Sequence, residues 1–266
     1  MAIPYDRQNA KASSIATDLH DQIAGKTILT TGVTLNGLGA HFVQTVAKHS
    51  PKLLILAGRS LSKLQATADA IKADPEASQA PIRLLILDLA SQSQIRDAAR
   101  EVLAYEEPID VLVNSAGIMA TPWRTTAEGI ELQFGSNHIG HFLFTNLIMP
   151  KLLASGSPVV VNVSSDGHRF GTVRFDDWNF KEGKEYHPYK AYAQSKTANI
   201  SFSRSLAKKL GAKGLKSYSL HPGVTVGTSL APDFQLEDLN LISRLKDPLS
   251  LERNRLPKNP SLTILM

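Results

Sequence analysis

The chain has 266 residues, which is enough for one large α/β domain, and its 42% hydrophobic and 20% charged residues are typical of a folded protein. The net charge of +5 is mildly basic, and no dense Lys/Arg run with interleaved aromatic residues indicates a nucleic acid partner. The absence of cysteine excludes disulfides, thiol nucleophiles and cysteine-ligated zinc. No secretory signal or membrane span is predicted, so we expect a cytoplasmic protein.

Short apolar runs alternate along the chain with segments of helical periodicity. The predicted strands are 26–31, 53–57, 82–87, 109–113, 159–163 and 215–220. The predicted helices are 13–23, 37–49, 60–73, 91–104, 126–153 and 189–210, with Ser60 and Ser91 placed to cap two of them. This alternation predicts a doubly wound parallel sheet, the Rossmann fold, in a single domain. We expect a lead-in helix within 1–24, the domain over 25–230 and a separate tail over 231–266.

Unusual residues follow the strands at the point where each strand ends. They are Gly32, Arg59, Asp88, Asn114 and Ser165. Because the carboxyl ends of parallel strands meet at one rim, which is where doubly wound folds bind ligands, the sequence predicts a binding site there.

Glycines join the first strand to the first helix of the domain, at Gly32, Gly37 and Gly39. They allow a tight turn and a close backbone approach to a phosphate, which the N-terminus of the following helix would face. An ordinary glycine-rich turn is the alternative. Asn36 and Leu38 lie inside this loop and count as cofactor-binding candidates.

The second and third strands end in residues that bear on the choice of cofactor. Arg59 stands where NAD-binding versions of this fold carry an acidic residue, which favours NADP(H) over NAD(H) unless Arg59 is only a solvated side chain. Asp88 and Leu89 lie where an adenine amino group could be bound, with a helix-capping role for Asp88 as the equal alternative.

Tyr192 and Lys196 are four residues apart on a predicted helix and therefore share one face. A nearby ammonium is expected to lower the pKa of the tyrosine, which could then exchange a proton with an alkoxide or alcohol. This spacing often arises by chance, so the pair alone does not indicate an active site.

With these features together, the chain resembles the short-chain dehydrogenases/reductases, especially their retinol-dehydrogenase-like branch and its fungal oxidoreductases. The shared motifs are the glycine loop, Asn114-Ser115-Ala116-Gly117, Asn137 within Gly135–Phe142, Asn162-Val163-Ser164-Ser165, the Tyr192/Lys196 pair and His221-Pro222-Gly223. The resemblance implies that Tyr192 is the general acid or base and that Lys196 binds the nicotinamide ribose and lowers the pKa of Tyr192. It implies further that Ser165, rather than Ser164, holds the substrate oxygen and that Asn137 holds a water of a proton relay.

The resemblance also implies further contacts to the cofactor. The residues concerned are Asn114, Ala116, Gly117, Pro222, Gly223, Val224 and Thr228. His138 and His141 have a spacing that could suggest a metal site, but no third ligand is evident, so we interpret them as packing histidines and expect no metal.

The chain departs from the family pattern at Ser115, at the late threonine Thr228, in the glycine loop and in the tail, and the last two matter most here. Four residues separate Gly32 from Gly37 where the usual loop has three, and 231–266 does not match the usual substrate loop and seventh strand. We therefore expect an uncovered edge at the sixth strand and a substrate pocket that lacks a wall.

The resemblance implies an NADP(H)-dependent oxidoreductase that acts on the carbonyl or alcohol of a small to medium, largely apolar molecule, in a fungal secondary-metabolite pathway as one option. The alternatives are an NADP(H)-binding protein with little catalysis and a membrane or partner role of the basic tail. A homodimer through the helices that contain Thr126 and Tyr189 is a further expectation from the family.

Overall fold

The computed structural model describes residues 10–77, 79–223 and 230. The predictions for Val224, for Thr228 and for the tail 231–266 lie outside these residues, as does the first part of the lead-in segment. Within the described ranges, no helix combines the length and the apolar character that a membrane crossing would need.

Six parallel strands form one sheet in the order β3-β2-β1-β4-β5-β6. They are β1 Thr27–Thr31, β2 Leu53–Gly58, β3 Ile82–Ile86, β4 Val111–Asn114, β5 Val159–Val163 and β6 Lys216–Leu220. The chain order reverses between β1 and β4, which is the switch point of a doubly wound sheet. The predicted Rossmann fold is confirmed, and β6 is an edge of the described sheet.

The helices connect the strands and cover both faces of the sheet. They are α1 Ala12–Asp18, α2 His20–Ile23, α3 Leu38–Ala47, α4 Leu61–Ala73, α5 Gln92–Leu103, α6 Leu132–Phe134, α7 Gly140–Leu147, α8 Met149–Leu153 and α9 Pro188–Leu210. Successive strand residues point to opposite faces, so Leu29 packs in a cluster with Ile95 and Phe144 while Ile28 packs in another with Val43 and Leu64.

The predicted helix over 126–153 is wrong at its start and is not continuous. Gly129 has φ +77, and an antiparallel bridge joins Thr125 to Glu131, so this part of the chain turns before helix α6 begins at Leu132. The Glu131 carboxylate accepts hydrogen bonds from the backbone N–H groups of Gln133 and Phe134 and thereby caps the helix. A π-helical turn, Gly135–Ile139, then leads into α7.

Smaller differences also have local causes. The lead-in helix is divided at Leu19 into α1 and α2. Ser91 caps α5 through the N–H of Gln94, as predicted. Ser60 occupies the corresponding position before α4, but its hydroxyl pairs with that of Ser62 and makes no capping bond.

Candidate active site

The glycine loop lies tightly against the end of β4. Gly32 has φ +74, and a β-carbon there would lie 2.5 Å from the Cα of Ala116. A β-carbon on Gly39 would lie 2.6 Å from the carbonyl oxygen of Gly32, so the first turn of α3 packs directly on the end of β1. Both positions require glycine because backbone atoms, which cannot move aside cheaply, occupy the space of a side chain.

The extra residue of this loop is accommodated at Asn36, which has φ +65. Asparagine tolerates the left-handed region better than most residues, so the longer turn is compatible with the sequence. Val33 is buried in the core, and its carbonyl oxygen accepts a 2.6 Å hydrogen bond from the Thr67 hydroxyl, which fixes the loop to α4. Gly37 precedes α3 without a side-chain capping bond, which leaves the N-terminal N–H groups starting at Leu38 for an anion.

The ends of β2 and β3 carry the predicted determinants of cofactor choice. Arg59 is exposed directly after β2, and neither Ala57 nor Gly58 before it is acidic. The Asp88 carboxylate accepts a 2.9 Å hydrogen bond from the N–H of Ala90, so this side chain stabilises the turn before α5. A β-carbon on Gly140 would lie 2.4 Å from the carbonyl oxygen of Leu89, which places this turn against the start of α7.

Tyr192 and Ser165 lie together beyond the end of β5. Tyr192 is only 4% exposed, and burial raises the pKa of its hydroxyl while a hydrogen bond with the Ser165 side chain acts in the opposite direction. The Ser165 hydroxyl accepts a 3.0 Å hydrogen bond from the N–H of Gly167, which orients it. The adjacent Ser164 points elsewhere and donates to the carbonyl oxygen of Lys196 at 2.9 Å.

Lys196 lies one turn after Tyr192, with its Nζ atom 5.4 Å from the centroid of the tyrosine ring. Nζ donates a 3.0 Å hydrogen bond to the carbonyl oxygen of Val163. The side chain is 3% exposed, and its burial lowers the pKa of Lys196 to about 8. Desolvation is the largest influence on both groups, so the pKa of Tyr192 is raised in the protein alone, and the expected lowering of this pKa by Lys196 stays a prediction.

Asn137 is fully buried in the π-helical turn and is fixed on all sides. Its side chain exchanges two 2.9 Å hydrogen bonds with the backbone of Ile118 and donates to the Ser195 hydroxyl at 3.0 Å. A β-carbon on Gly117 would lie 3.4 Å from the Asn137 Oδ1 atom and 3.5 Å from the Lys196 Nζ atom. Asn137, Gly117 and Lys196 are therefore neighbours although they lie on three different elements.

Asn114 connects the sheet beneath the site. Its Nδ2 atom donates to Thr145 at 3.1 Å and to Asn162 at 2.8 Å. The Asn162 amide donates in turn to Ser203 on α9 at 2.8 Å. The Oδ1 atom of Asn114 is buried without a hydrogen bond partner.

Two residues of this region were not given a site role by the sequence reasoning. The Thr31 hydroxyl accepts from the N–H groups of Ser115 and Ala116, both at 3.0 Å, and contacts the Nε2 atom of His141 at 2.9 Å. His141 also contacts the carbonyl oxygen of Asn137. The signals available were the position of Thr31 directly before Gly32 and the spacing of four residues from Asn137 to His141.

The chain after β6 returns to the same rim. Pro222 and Gly223 are exposed there, with φ +86 at Gly223. The N–H of Met119, in the loop after β4, donates a 3.0 Å hydrogen bond to the carbonyl oxygen of Leu230. Among the described residues, the glycine loop, Asn114, Ser165 and Pro222 thus lie at or just after the ends of β1, β4, β5 and β6.

An apolar groove of about 480 Å³ lies elsewhere, between α6, α7 and α9 and the segment before α9. Its lining includes Phe134, Phe142, Phe175, Trp178 and Phe202 but none of the predicted site residues. Among the residues described, no three His, Asp or Glu side chains are grouped as a metal site would need.

The geometry fits a dinucleotide cofactor. The N-terminus of α3 has no side-chain capping bond, so its N–H groups can face phosphates, and the space beside Gly117 lies next to the Lys196 ammonium. The unpartnered Oδ1 atom of Asn114 adds a buried polar atom near the same edge.

The chain is similar to short-chain dehydrogenases. A family model described as short chain dehydrogenase matches residues 26–177. Retinol dehydrogenase 13 of Homo sapiens is 40% identical over 202 residues, which cover 76% of this chain and 60% of that protein. An oxidoreductase of Fusarium equiseti is 33% identical over 240 residues, and the match covers 80% of this chain and 92% of that protein.

A solved structure of an uncharacterized protein from Mycobacterium paratuberculosis has a TM-score of 0.65 and 36% identity, and the match covers 76% of this chain and 70% of that one. The match to the human retinol dehydrogenase described above covers 60% of that protein, so the chain spans about three fifths of its length.

Proposed function

Since the chain belongs to the short-chain dehydrogenase family, in its retinol-dehydrogenase-like branch, we propose that it is an NADP(H)-dependent oxidoreductase that interconverts a carbonyl and an alcohol. The observation that carries this proposal is the convergence of Tyr192, Ser165, Lys196 and Asn137 at the rim that also holds the glycine loop. A tyrosine and a lysine on one helix would not suffice alone. The Ser165 hydroxyl beside Tyr192 and the glycine loop at the same edge are the further parts that carbonyl reduction needs.

Each residue has a chemical task that follows from its surroundings. The bound nicotinamide would supply or accept the hydride. Burial keeps Tyr192 protonated at neutral pH, so its hydroxyl can donate a proton to a developing alkoxide while Ser165 donates a hydrogen bond to the same oxygen. Lys196, with its pKa lowered to about 8, can exchange a proton near neutral pH and return one toward the tyrosine.

The proton supply to Lys196 would pass through the surroundings of Asn137. Gly117 leaves the Asn137 amide and the Lys196 ammonium close to each other, and a side chain at Gly117 would fill the space between them. We assign Asn137 the role of holding this end of the relay, because its amide is fixed by hydrogen bonds with the N–H and the carbonyl oxygen of Ile118.

The preference for NADP(H) is proposed from Arg59. Its side chain is exposed at the end of β2, where a guanidinium can pair with a 2′-phosphate and no carboxylate competes for the ribose hydroxyl. We expect Arg59→Glu to weaken NADPH binding by about tenfold or more and to affect NADH far less, because the 2′-phosphate would then face a like charge. Fluorescence titration with both cofactors measures this, and equal losses for NADPH and NADH would contradict the assignment.

The substrate is proposed to be a small to medium, largely apolar carbonyl compound or alcohol. Support comes from the similarity to a retinol dehydrogenase and to a fungal oxidoreductase, while a secondary-metabolite pathway stays a prediction from the sequence. Homodimer formation and a cytoplasmic location stay predictions from the sequence.

NADPH consumption with a panel of apolar aldehydes and ketones tests the proposed activity. We expect Tyr192→Phe to lower kcat by about 10²–10⁴-fold, because the proton donor is lost while the ring remains. Tyr105→Phe is the matched control, since that hydroxyl donates to the carboxylate of Glu101 on α5 and has no role in the candidate site. Equal rates for wild type and Tyr192→Phe would reject the tyrosine as the acid, and NADPH binding without turnover of any carbonyl would favour a cofactor-binding protein.

A further inference from the structure

A histidine joins the two ends of the candidate active site. His141, on the first turn of α7, is 1% exposed. Its Nε2 atom lies 2.9 Å from the Thr31 hydroxyl at the end of β1, and its Nδ1 atom lies 3.0 Å from the carbonyl oxygen of Asn137. It therefore contacts both the residue that begins the glycine loop and the residue at the Lys196 end of the site.

The hydrogen bonds of Thr31 determine which nitrogen of His141 carries the proton. The Thr31 oxygen already accepts from the N–H groups of Ser115 and Ala116, each at 3.0 Å. A hydroxyl has two lone pairs and one proton, so its own proton is left for the Nε2 atom of His141, which must accept.

The contact of the Nδ1 atom indicates the same tautomer independently. The Asn137 carbonyl oxygen can only accept a hydrogen bond, so the Nδ1 atom of His141 must donate to it. The two contacts select one neutral tautomer, with the proton on Nδ1. A second proton on Nε2 would face an oxygen whose lone pairs are both in use. Together with the complete burial of the ring, this agrees with the lowering of the His141 pKa to about 4.

We propose that His141 is a positioning residue of the reaction, which in this single tautomer ties the Thr31 hydroxyl of the cofactor loop to the Asn137 carbonyl at the proton-relay end. The inference rests on the proposed function and deepens it. Through Thr31, which also accepts from the N–H groups of Ser115 and Ala116, the tie joins β1 and the loop after β4 to the helical segment that holds Asn137 and His141. Its loss would let the loop and the relay end shift relative to each other.

The interpretation of His141 as a packing residue makes a different prediction. Packing requires only volume and apolar contact, so any substitution would act through stability alone. The tie instead requires His141 to accept from the Thr31 hydroxyl and to donate to the Asn137 carbonyl. Asparagine and glutamine in its place would each keep one of these two hydrogen bonds. His141→Asn places an amide nitrogen near the Nδ1 position and keeps the donor to Asn137, whereas His141→Gln places an amide oxygen near the Nε2 position and keeps the acceptor for Thr31.

The test uses the full chain and compares these two variants in NADPH titrations and in steady-state turnover of a carbonyl substrate. We expect His141→Asn to weaken NADPH binding on the order of tenfold with kcat retained at saturation, because the buried Thr31 proton is left without its partner. We expect His141→Gln to keep NADPH affinity and to lower kcat on the order of tenfold, because the carbonyl of Asn137 loses the His141 donor and keeps the longer 3.2 Å contact from the Asn199 Nδ2 atom. His20→Asn and His20→Gln, at an exposed position of α2, are the matched controls.

Parallel losses of affinity and kcat in both variants, in step with their thermal stability, would overturn the proposal in favour of packing. The ¹⁵N chemical shifts of His141 test the tautomer in the protein without substrate, and a protonated Nε2 at neutral pH would also overturn it. The shifts and the NADPH affinities do not depend on turnover. A wild-type protein that turns over no carbonyl would therefore refute the proposed function while leaving the tie separately testable.

Discussion

Burial of Lys196 is expected to destabilise the fold at neutral pH, and its replacement by methionine tests this. The pKa falls from 10.5 to about 8, and a tenfold change in proton affinity corresponds to about 1.4 kcal/mol, so the charged form costs about 3 kcal/mol in the folded state. Lys196→Met removes that cost and also loses the hydrogen bond to the Val163 carbonyl, worth about 1 kcal/mol. The same carbonyl keeps the Nδ2 donor of Asn199 at 3.3 Å.

The sign of the pH dependence follows from which state binds the proton. Below pH 8 both the folded and the unfolded protein carry the Lys196 proton, and the full cost of burial is present. Between about 8 and 10.5 the unfolded chain holds a proton that the folded protein has released, so the free energy of unfolding of the wild type rises with pH. At pH 10.5 and above the cost is almost gone.

We therefore expect Lys196→Met to be more stable than wild type by about 2 kcal/mol at pH 7, and to lose this advantage by pH 10. Urea unfolding of both proteins at the two pH values measures the difference, and the comparison cancels the titration of groups that the two proteins share. Lys190→Met, at an exposed position of the same helix, is the control and should change neither value appreciably. A variant that is less stable than wild type at pH 7, or one whose difference is the same at both pH values, would refute the reasoning.

Two further predictions concern the cofactor loop and the start of α6. Gly32→Ala is expected to weaken NADPH binding at least about tenfold, because the new β-carbon would lie 2.5 Å from the Ala116 backbone. Gly25→Ala, at φ +71 but in open space, isolates the conformational cost of about 1 kcal/mol, and similar NADPH affinities for the two variants in a fluorescence titration would contradict the steric argument. Glu131→Ala is expected to lower the free energy of unfolding by about 1–2 kcal/mol, since two capped N–H groups lose their acceptor, and an unchanged urea midpoint would show that the cap contributes nothing.

Local patterns sufficed for the sheet and for most of its helices. The strands near Leu29 and Ile55 are short and apolar, and the helix between them carries a 3.6-residue period. The exception was the segment over 126–153, where the turn at Gly129 and the capping role of Glu131 depend on contacts that periodicity does not contain.

The sequence by itself determined which residue types stand at the rim, because parallel strands of known order carry their following residues to one edge. Ser165 was selected in this way, whereas Tyr192 and Lys196 were selected by their helical spacing and Asn137 by the family resemblance. Their protonation depends instead on how much water the surrounding elements exclude, so only the tertiary structure decided that the Tyr192 pKa rises and that Lys196 is buried. The same holds for the tautomer of His141. It is set by hydrogen bonds with Thr31, which lies 110 residues earlier in the chain, and with Asn137, which lies 4 residues earlier.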